Sequence, residues 1–408
     1  MSAPPTRRLL AGLLTGSVVI AVAACGGTAE PGVRATSPAA ANPSSPSPDR
    51  PSETGADPSP PAVPPASAPT APSARSLTIV AGGDVLLHEP TWAQADADAG
   101  GGGTYDFAPQ MLAIEPVVAA ADLALCHLET PLAPDGGPYT GYPSFSGPPQ
   151  IAESLAATGF DACSLASNHS WDKGLSGLER TVTTVAAAGV TPYGAAVAGQ
   201  PGNPTLVDAG DVRVGLLSYT YGSNAAPANG AVEMIDVDDI LVDAAAARAA
   251  GAEVVVASVH WGTEYSHDIN AQQRDLAPVL LASPDLDLLV GHHAHVVQPM
   301  AEIGGEWVAY GLGNMLAAHA TELPANQEGV LAQFTFTETA DGWLATEAAY
   351  LPILVDRGPP LRMIHLPLAL TDALPDDLRE RYETAVTRSR EVIHRLAGEE
   401  LLEITGLT

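Results

Sequence analysis

Apolar runs too short to be helices recur along this 408-residue chain, and each one ends on side chains that can do chemistry. Leu77 to Val80 leads to Gly82-Gly83-Asp84, and Ala121 to Cys126 leads to His127-Leu128-Glu129. Phe160 to Leu165 leads to Asn168-His169, Glu253 to Val259 leads to His260, and Asp287 to Val290 leads to Gly291-His292-His293-Ala294-His295. Runs of this length read as buried strands, as does Val212 to Tyr219. Alanine-rich helical stretches lie between them, at Pro149 to Thr158, Leu178 to Ala188 and Val237 to Ala250. Strands alternating with helices specify an α/β architecture with much of its sheet buried on both faces. Gln333 to Thr337 and Trp343 to Leu351 alternate like an antiparallel hairpin, and Leu374 to Leu396 predicts a charged C-terminal helix. No internal repeat is present, and the stretch from residue 77 onward is long enough for one large domain.

Ligands of open α/β sheets bind beyond the carboxyl ends of the strands, so the five polar loops are expected to converge there. Each residue alone has a plain structural role: Asp84 could cap a helix, Glu129 could pair with an arginine, Asn168 could hold an Asx turn, and Asp172 with Gly174 could end a turn. Recurrence at strand ends points instead to a metal centre. Asp84, Glu129, Asn168-His169, His260 and His293/His295 together offer hard oxygen and imidazole nitrogen. That mixture suits a pair of divalent ions such as Mn, Fe, Zn or Mg.

The N-terminus carries an address. Arg7 and Arg8 precede an apolar run from Leu9 to Ala24 that ends in Val22-Ala23-Ala24-Cys25. A charged start, an apolar middle and small residues at the end make a targeting segment rather than a membrane span. The cysteine after the small residues resembles a bacterial lipobox, which implies cleavage before Cys25 and a lipid on its sulfur. The protein is therefore expected outside the cytoplasm, anchored to the cell membrane. Thr6-Arg7-Arg8 also resembles a twin-arginine signal, with Sec export equally open. Residues 25–76 are rich in Pro, Ser and Ala and free of aromatic residues, a composition that cannot offset its ordering entropy. As a coil they would reach roughly 40 Å, and as polyproline II roughly 150 Å.

Seventeen Lys and Arg against forty-seven Asp and Glu give a net charge of −30. No basic patch is available to neutralise phosphates, which excludes nucleic acid as a partner. The same field repels any polyanion, so metal ions and local cations such as Lys173 would have to counter it. Cys126 and Cys163 fall in two strands and are expected as free buried thiols, because adjacent strand interiors seldom suit a disulfide, with a disulfide the alternative in an exported protein.

Six ordered blocks resemble the CapA family of poly-γ-glutamate capsule biosynthesis proteins, whose fold is similar to calcineurin-like metallophosphoesterases. They are Gly82-Gly83-Asp84-Val85, His127 to Leu132, Ser167 to Gly174, His260 to Tyr265, Gly291 to Pro299 and Tyr310 to Asn314. The resemblance runs from Leu77 to Pro352. It implies a sandwich of mixed β-sheets flanked by helices over residues 77–355, after a signal at 1–24 and a linker at 25–76, with 356–408 as a C-terminal extension.

The resemblance also implies roles. Asp84 would hold a first metal, Glu129 would lie between two metals, Asn168, His260 and His293 would hold the second, and His295 would return to the first. His169 would protonate a leaving group, while His127, Asp172, Glu264 and His292 would serve as outer partners or extra ligands. Tyr310 to Asn314 would be a structural passage. The chain departs from the family at His127 and Ser167, where Asn is usual. The wider superfamily has a histidine where Leu86 stands, and His88 is a candidate substitute. The implied work is synthesis or handling of an anionic polymer, with capsule-synthesis membrane proteins as partners. The alternatives are an exported phosphatase or nucleotidase acting on a phosphoester, or a non-catalytic polymer-binding factor.

Overall fold

A computed structural model describes residues 74–197, 202–225, 230–320, 323–398 and 400–407. The targeting segment, Cys25 and the linker up to residue 73 lie outside the described residues. Among those described, no helix is long and apolar enough to cross a membrane.

Fifteen strands follow one another among the described residues: β1 (Ser76–Val85), β2 (Leu123–Leu128), β3 (Ala162–Ser164), β4 (Thr191–Tyr193), β5 (Thr205–Ala209), β6 (Val212–Thr220), β7 (Val254–His260) and β8 (Leu288–His292). They continue as β9 (Met300–Ile303), β10 (Glu306–Ala309), β11 (Asn314–Leu316), β12 (Glu328–Thr339), β13 (Gly342–Asp356), β14 (Arg362–His365) and β15 (Leu402–Glu403). The first sheet has nine strands in the order β14-β13-β12-β1-β2-β3-β4, with β11 beside β1 and β15 beside β13. The second has six, in the order β5-β6-β7-β8-β10-β9. Both are mixed. β1 to β4 run parallel, as do β6, β7, β8 and β10, while β12 and β13 form the expected antiparallel hairpin.

Side chains alternate across a strand, and here the alternation assigns two apolar faces. Leu77, Ile79 and Ala81 of β1 join Leu123 and Leu125 of β2 in a core that also takes Val254 and Val256 of β7 and Leu288 and Val290 of β8. That core lies between the sheets. Val80, Ala124 and Cys126 face the other way, onto Ile151 and Leu155 of the helix Ile151–Thr158 and Val185 of the helix Gly174–Ala187. Val255 and Ala257 of β7 meet Ile240 and Ala244 of the helix Val237–Ala249 and Ala277 of the helix Ala271–Leu280. The result is helix, sheet, sheet, helix. The strands read as continuous apolar runs because both faces are covered.

One sequence expectation is corrected. Cys126 and Cys163 are joined in a disulfide, with Cα atoms 4.5 Å apart. They are register partners on parallel neighbours β2 and β3 and face the same helical layer, which brings their sulfurs together. Beyond Asp356, β14 and β15 extend the first sheet, and the helix Asp376–Ile393 packs Tyr382, Ala385 and Val386 onto Leu354 and Leu366.

Candidate metal centre

The parallel strands of both sheets end at one place. Asp84 closes β1, His127 and Glu129 end β2, Asn168 and His169 follow β3, His260 closes β7, and His292 to His295 end β8. Close backbone approach makes the convergence possible. Asp84 N–H donates to Gly313 O at 2.9 Å, and a Cβ on Gly83 would lie 2.1 Å from that oxygen. A Cβ on Gly291 would meet Tyr310 O at 1.9 Å. The Tyr310–Asn314 passage is thus pressed against the strands that present the site.

Asp84 is fully buried, and its carboxylate accepts the His293 N–H at 3.2 Å. Its Oδ2 lies 3.0 Å from His295 Nδ1 and its Oδ1 3.4 Å from His292 Nδ1. Burial pushes the Asp84 pKa up, but the His292 and His295 hydrogen bonds win and hold it well below the usual range. Glu129 stands between two histidines, its Oε1 4.0 Å from His260 Nε2 and 3.8 Å from His295 Nε2. Both Glu129 oxygens are buried with no hydrogen-bond partner among the described residues. Burial raises its pKa. His295 is raised to about 9, since Glu129 and Asp84 outweigh the opposing effect of burial.

His260 and His127 are both held far below the ordinary imidazole value, by burial first and by neighbouring imidazoles next. His260 Nε2 lies 3.1 Å from Asn168 Oδ1, and its Nδ1 lies 3.0 Å from His127 Nε2. His127 Nδ1 continues the row to Ser164 Oγ at 2.6 Å, and its ring stacks on His292 with centroids 4.1 Å apart. His293 is lowered to about 3 by burial and by His295, its Nδ1 has no hydrogen-bond partner among the described residues, and its ring lies 4.7 Å from that of His260.

A buried carboxylate with both oxygens lacking a hydrogen-bond partner among the described residues is costly unless something positive completes it, a metal ion or the His295 imidazolium in its absence. Two donor sets stand out: Asp84, His127, Glu129 and His260, and beside them Glu264, His293 and His295. The residues therefore fit divalent metal. Asp84, Glu129, Asn168, His260, His293 and His295 would hold it, with His127 orienting His260 from behind.

The site opens into a cavity of about 550 Å3. His169 lies in its wall, its Nδ1 2.8 Å from Asp172 Oδ2 and its ring within 3.3 Å of Asn224 Nδ2. Burial works against charge on His169, but the Asp172 hydrogen bond and the Glu129 carboxylate outweigh it and raise its pKa. Tyr142, Tyr221 and Tyr265 ring the mouth, 79%, 45% and 38% exposed. Among the described residues, Glu264 is the one formally acidic side chain lining the cavity, and no lysine or arginine lines it. Lys173 turns away and donates to Ser144 O at 3.1 Å and Ser144 Oγ at 2.8 Å. Tyr265, His293 and His295 are the three non-glycine residues with positive φ among those described, and all three border this site. Such backbone states cost of order 1–3 kcal/mol each and persist where surrounding structure imposes them.

Three further neighbours of the site were not among the sequence-predicted site residues, although Asn314 stood in a block read as a structural passage. Asn314 Oδ1 lies 3.1 Å from His295 Nδ1, while its Nδ2 donates to Asn326 O at 2.7 Å. Asn224 approaches His169, and His319 lies in the cavity wall. Of these only Asn314 had a visible signal, the Gly-Leu-Gly-Asn block. His88, the candidate substitute for Leu86, lines the same cavity, but its Nδ1 takes the Ala318 N–H at 3.2 Å.

The profile of the family described as bacterial capsule synthesis protein PGA_cap matches residues 78–319. The PGA biosynthesis protein CapA of Bacillus subtilis is 28% identical over 162 residues, covering 38% of this chain and 42% of that protein. The capsule biosynthesis protein CapA of Bacillus anthracis is 27% identical over 175 residues, covering 41% and 42%. A probable polyglutamine synthesis accessory protein of Mycobacterium tuberculosis is 27% identical over 220 residues, covering 48% and 56%. The matched stretch thus spans about half the length of these relatives or less. Among solved structures, a calcineurin-like phosphoesterase of Bacillus subtilis overlays with a TM-score of 0.41 at 14% identity, covering 78% of this chain and 99% of that one. A 5'-nucleotidase precursor of Thermus thermophilus gives 0.41 at 16%, covering 79% and 60%.

Proposed function

Since the chain belongs to the PGA_cap family of bacterial capsule synthesis proteins, we propose that it is a metal-dependent hydrolase of an anionic capsule or wall polymer such as poly-γ-glutamate. In this reading the protein is exported and held at the cell membrane by a lipid on Cys25, where it works beside membrane proteins of polymer synthesis. The observation that carries the hydrolase reading is Glu129, buried and unpartnered between His260 and His295, with His169 in the wall of the adjoining cavity.

Two divalent ions held by this set would supply Lewis acidity and make a water acidic enough to attack near neutral pH. The chain's own residues do the rest. Asp172 fixes His169 through Nδ1, leaving Nε2 to give a proton to the departing group. Asn224 borders the same ring, and the tyrosines of the rim shield the cavity from bulk water. A raised His169 pKa keeps that proton available near neutrality.

The test is elemental analysis of the purified protein alongside hydrolysis of poly-γ-glutamate and of an aryl phosphate ester. Two ions per chain are expected, with polymer shortening. His169→Ala should keep the metal and lose about 10²–10⁴-fold in rate. Metal with no turnover on either substrate would sink the hydrolase reading in favour of a polymer-binding factor. A second reading is an extracytoplasmic phosphatase for small phosphoesters; it draws support from the lack of lysine and arginine among the described residues of the cavity wall, which offers a long polyanion no row of fixed cations. Ester turnover with the polymer untouched would select it.

A further inference from the structure

We propose that His319 is a ligand of the first metal position, completing it with Asp84, Glu129 and His295. The inference rests on the two-metal reading above. In that reading the second position has four protein donors, Glu129, Asn168, His260 and His293, whereas the first has three. Leu86, two residues beyond Asp84, offers an apolar side chain.

His319 supplies what is missing. It is 7% exposed, and its Nε2 is buried with no hydrogen-bond partner among the described residues. Its ring centre lies 4.6 Å from that of His295. Two imidazoles that each bind one ion through a nitrogen at about 2.1 Å place their ring centres roughly 4.5–5.5 Å apart. The His260–His293 pair, assigned to the other position, has the same spacing, 4.7 Å.

The surroundings hold His319 there. β11 begins at Asn314 in register with Asp84, which delivers the following residues to the cavity wall. The Ala318 N–H donates to His88 Nδ1 at 3.2 Å, and the His319 carbonyl accepts from Arg357 Nη1 at 2.8 Å. The His319 Nδ1 stands 3.4 Å from the Tyr265 hydroxyl, which leaves Nε2 as the nitrogen for the ion. His88, with its ring 4.5 Å from that of His319, is a positioning residue rather than the ligand.

The experiment is a Co2+ titration of the full chain, followed by calorimetry and by visible absorption of the bound ion. His319→Phe keeps the ring volume and removes the nitrogens, and His319→Ala serves as the second variant. The wild-type protein should take two ions. Both variants should keep one of these ions and bind the other at least tenfold more weakly, with a changed absorption band. His293→Ala should weaken the opposite ion. Two ions bound with unchanged affinity and spectrum in a variant that folds would overturn the assignment while leaving the two-metal reading intact. No Co2+ on the wild-type protein would overturn both.

Discussion

At the scale of single residues, the row Ser164–His127–His260–Asn168 does the most to set the site. Each imidazole in it can donate from one nitrogen while accepting at the other, so the row can run in either direction. With metal on His260 Nε2, its Nδ1–H points to His127, and His127 in turn donates to Ser164. His127→Phe keeps a ring but removes that acceptor, and should weaken metal binding by about 10–100-fold, read by chelator competition. Protons and metal compete for the same atoms. His295 is raised to about 9 and Glu129 is raised as well, so the metal-free site holds protons that binding must displace. Apparent affinity should climb with pH through neutrality, by about tenfold per unit for each proton displaced. It should level off above about 9, and a pH series of metal titrations reads the slope. That these polar side chains gather in one cluster was legible because each stands at the end of an apolar run. His319 was not, since it lies in an alanine-rich loop with no pattern and meets His295 through the return of β11.

At the scale of elements, two glycines let strands and loops touch where the site is built. Gly83→Ala would drive a methyl into Gly313 O, and Gly291→Ala into Tyr310 O; both obstacles are backbone. Overpacking a core costs about 1–3 kcal/mol, and contacts with backbone that cannot rotate away belong at the upper end. Either variant should lower the unfolding midpoint and lose metal together, as thermal melts with and without added ion would reveal. The apolar runs and their end residues marked β1, β2, β3, β6, β7 and β8, whereas short strands such as β4, β9 and β11, and the order of strands within each sheet, were not readable from them. The disulfide was misread because strand assignment alone gives no register, and only register puts Cys126 opposite Cys163. The helix Ala271–Leu280 also escaped notice. Its Asn270/Gln273 capping box was visible in sequence, while Pro278 within it argued against a helix.

At the scale of the whole molecule, charge and cavity pull against a polyanion together. The chain carries −30, and no lysine or arginine among the described residues lines the cavity. Exposed charges are screened within about 8 Å at physiological salt. Association with poly-γ-glutamate should therefore tighten as salt rises from about 10 to about 150 mM, the reverse of a basic polymer-binding protein. Light scattering or sedimentation across that range would check the sign. The Cys126–Cys163 bond also constrains when the molecule can be finished. Its sulfurs belong to residues 2% and 0% exposed, and the next residues along, His127 and Ser164, are the pair behind His260. Cytosolic thiol buffers keep such pairs reduced. An oxidant must therefore reach them before the helices close over β2 and β3. For an exported chain that order suits a thread crossing the membrane unfolded, oxidised on the far side, and only then loaded with metal. A body that crossed already folded would carry its cysteines shut away from the compartment able to join them.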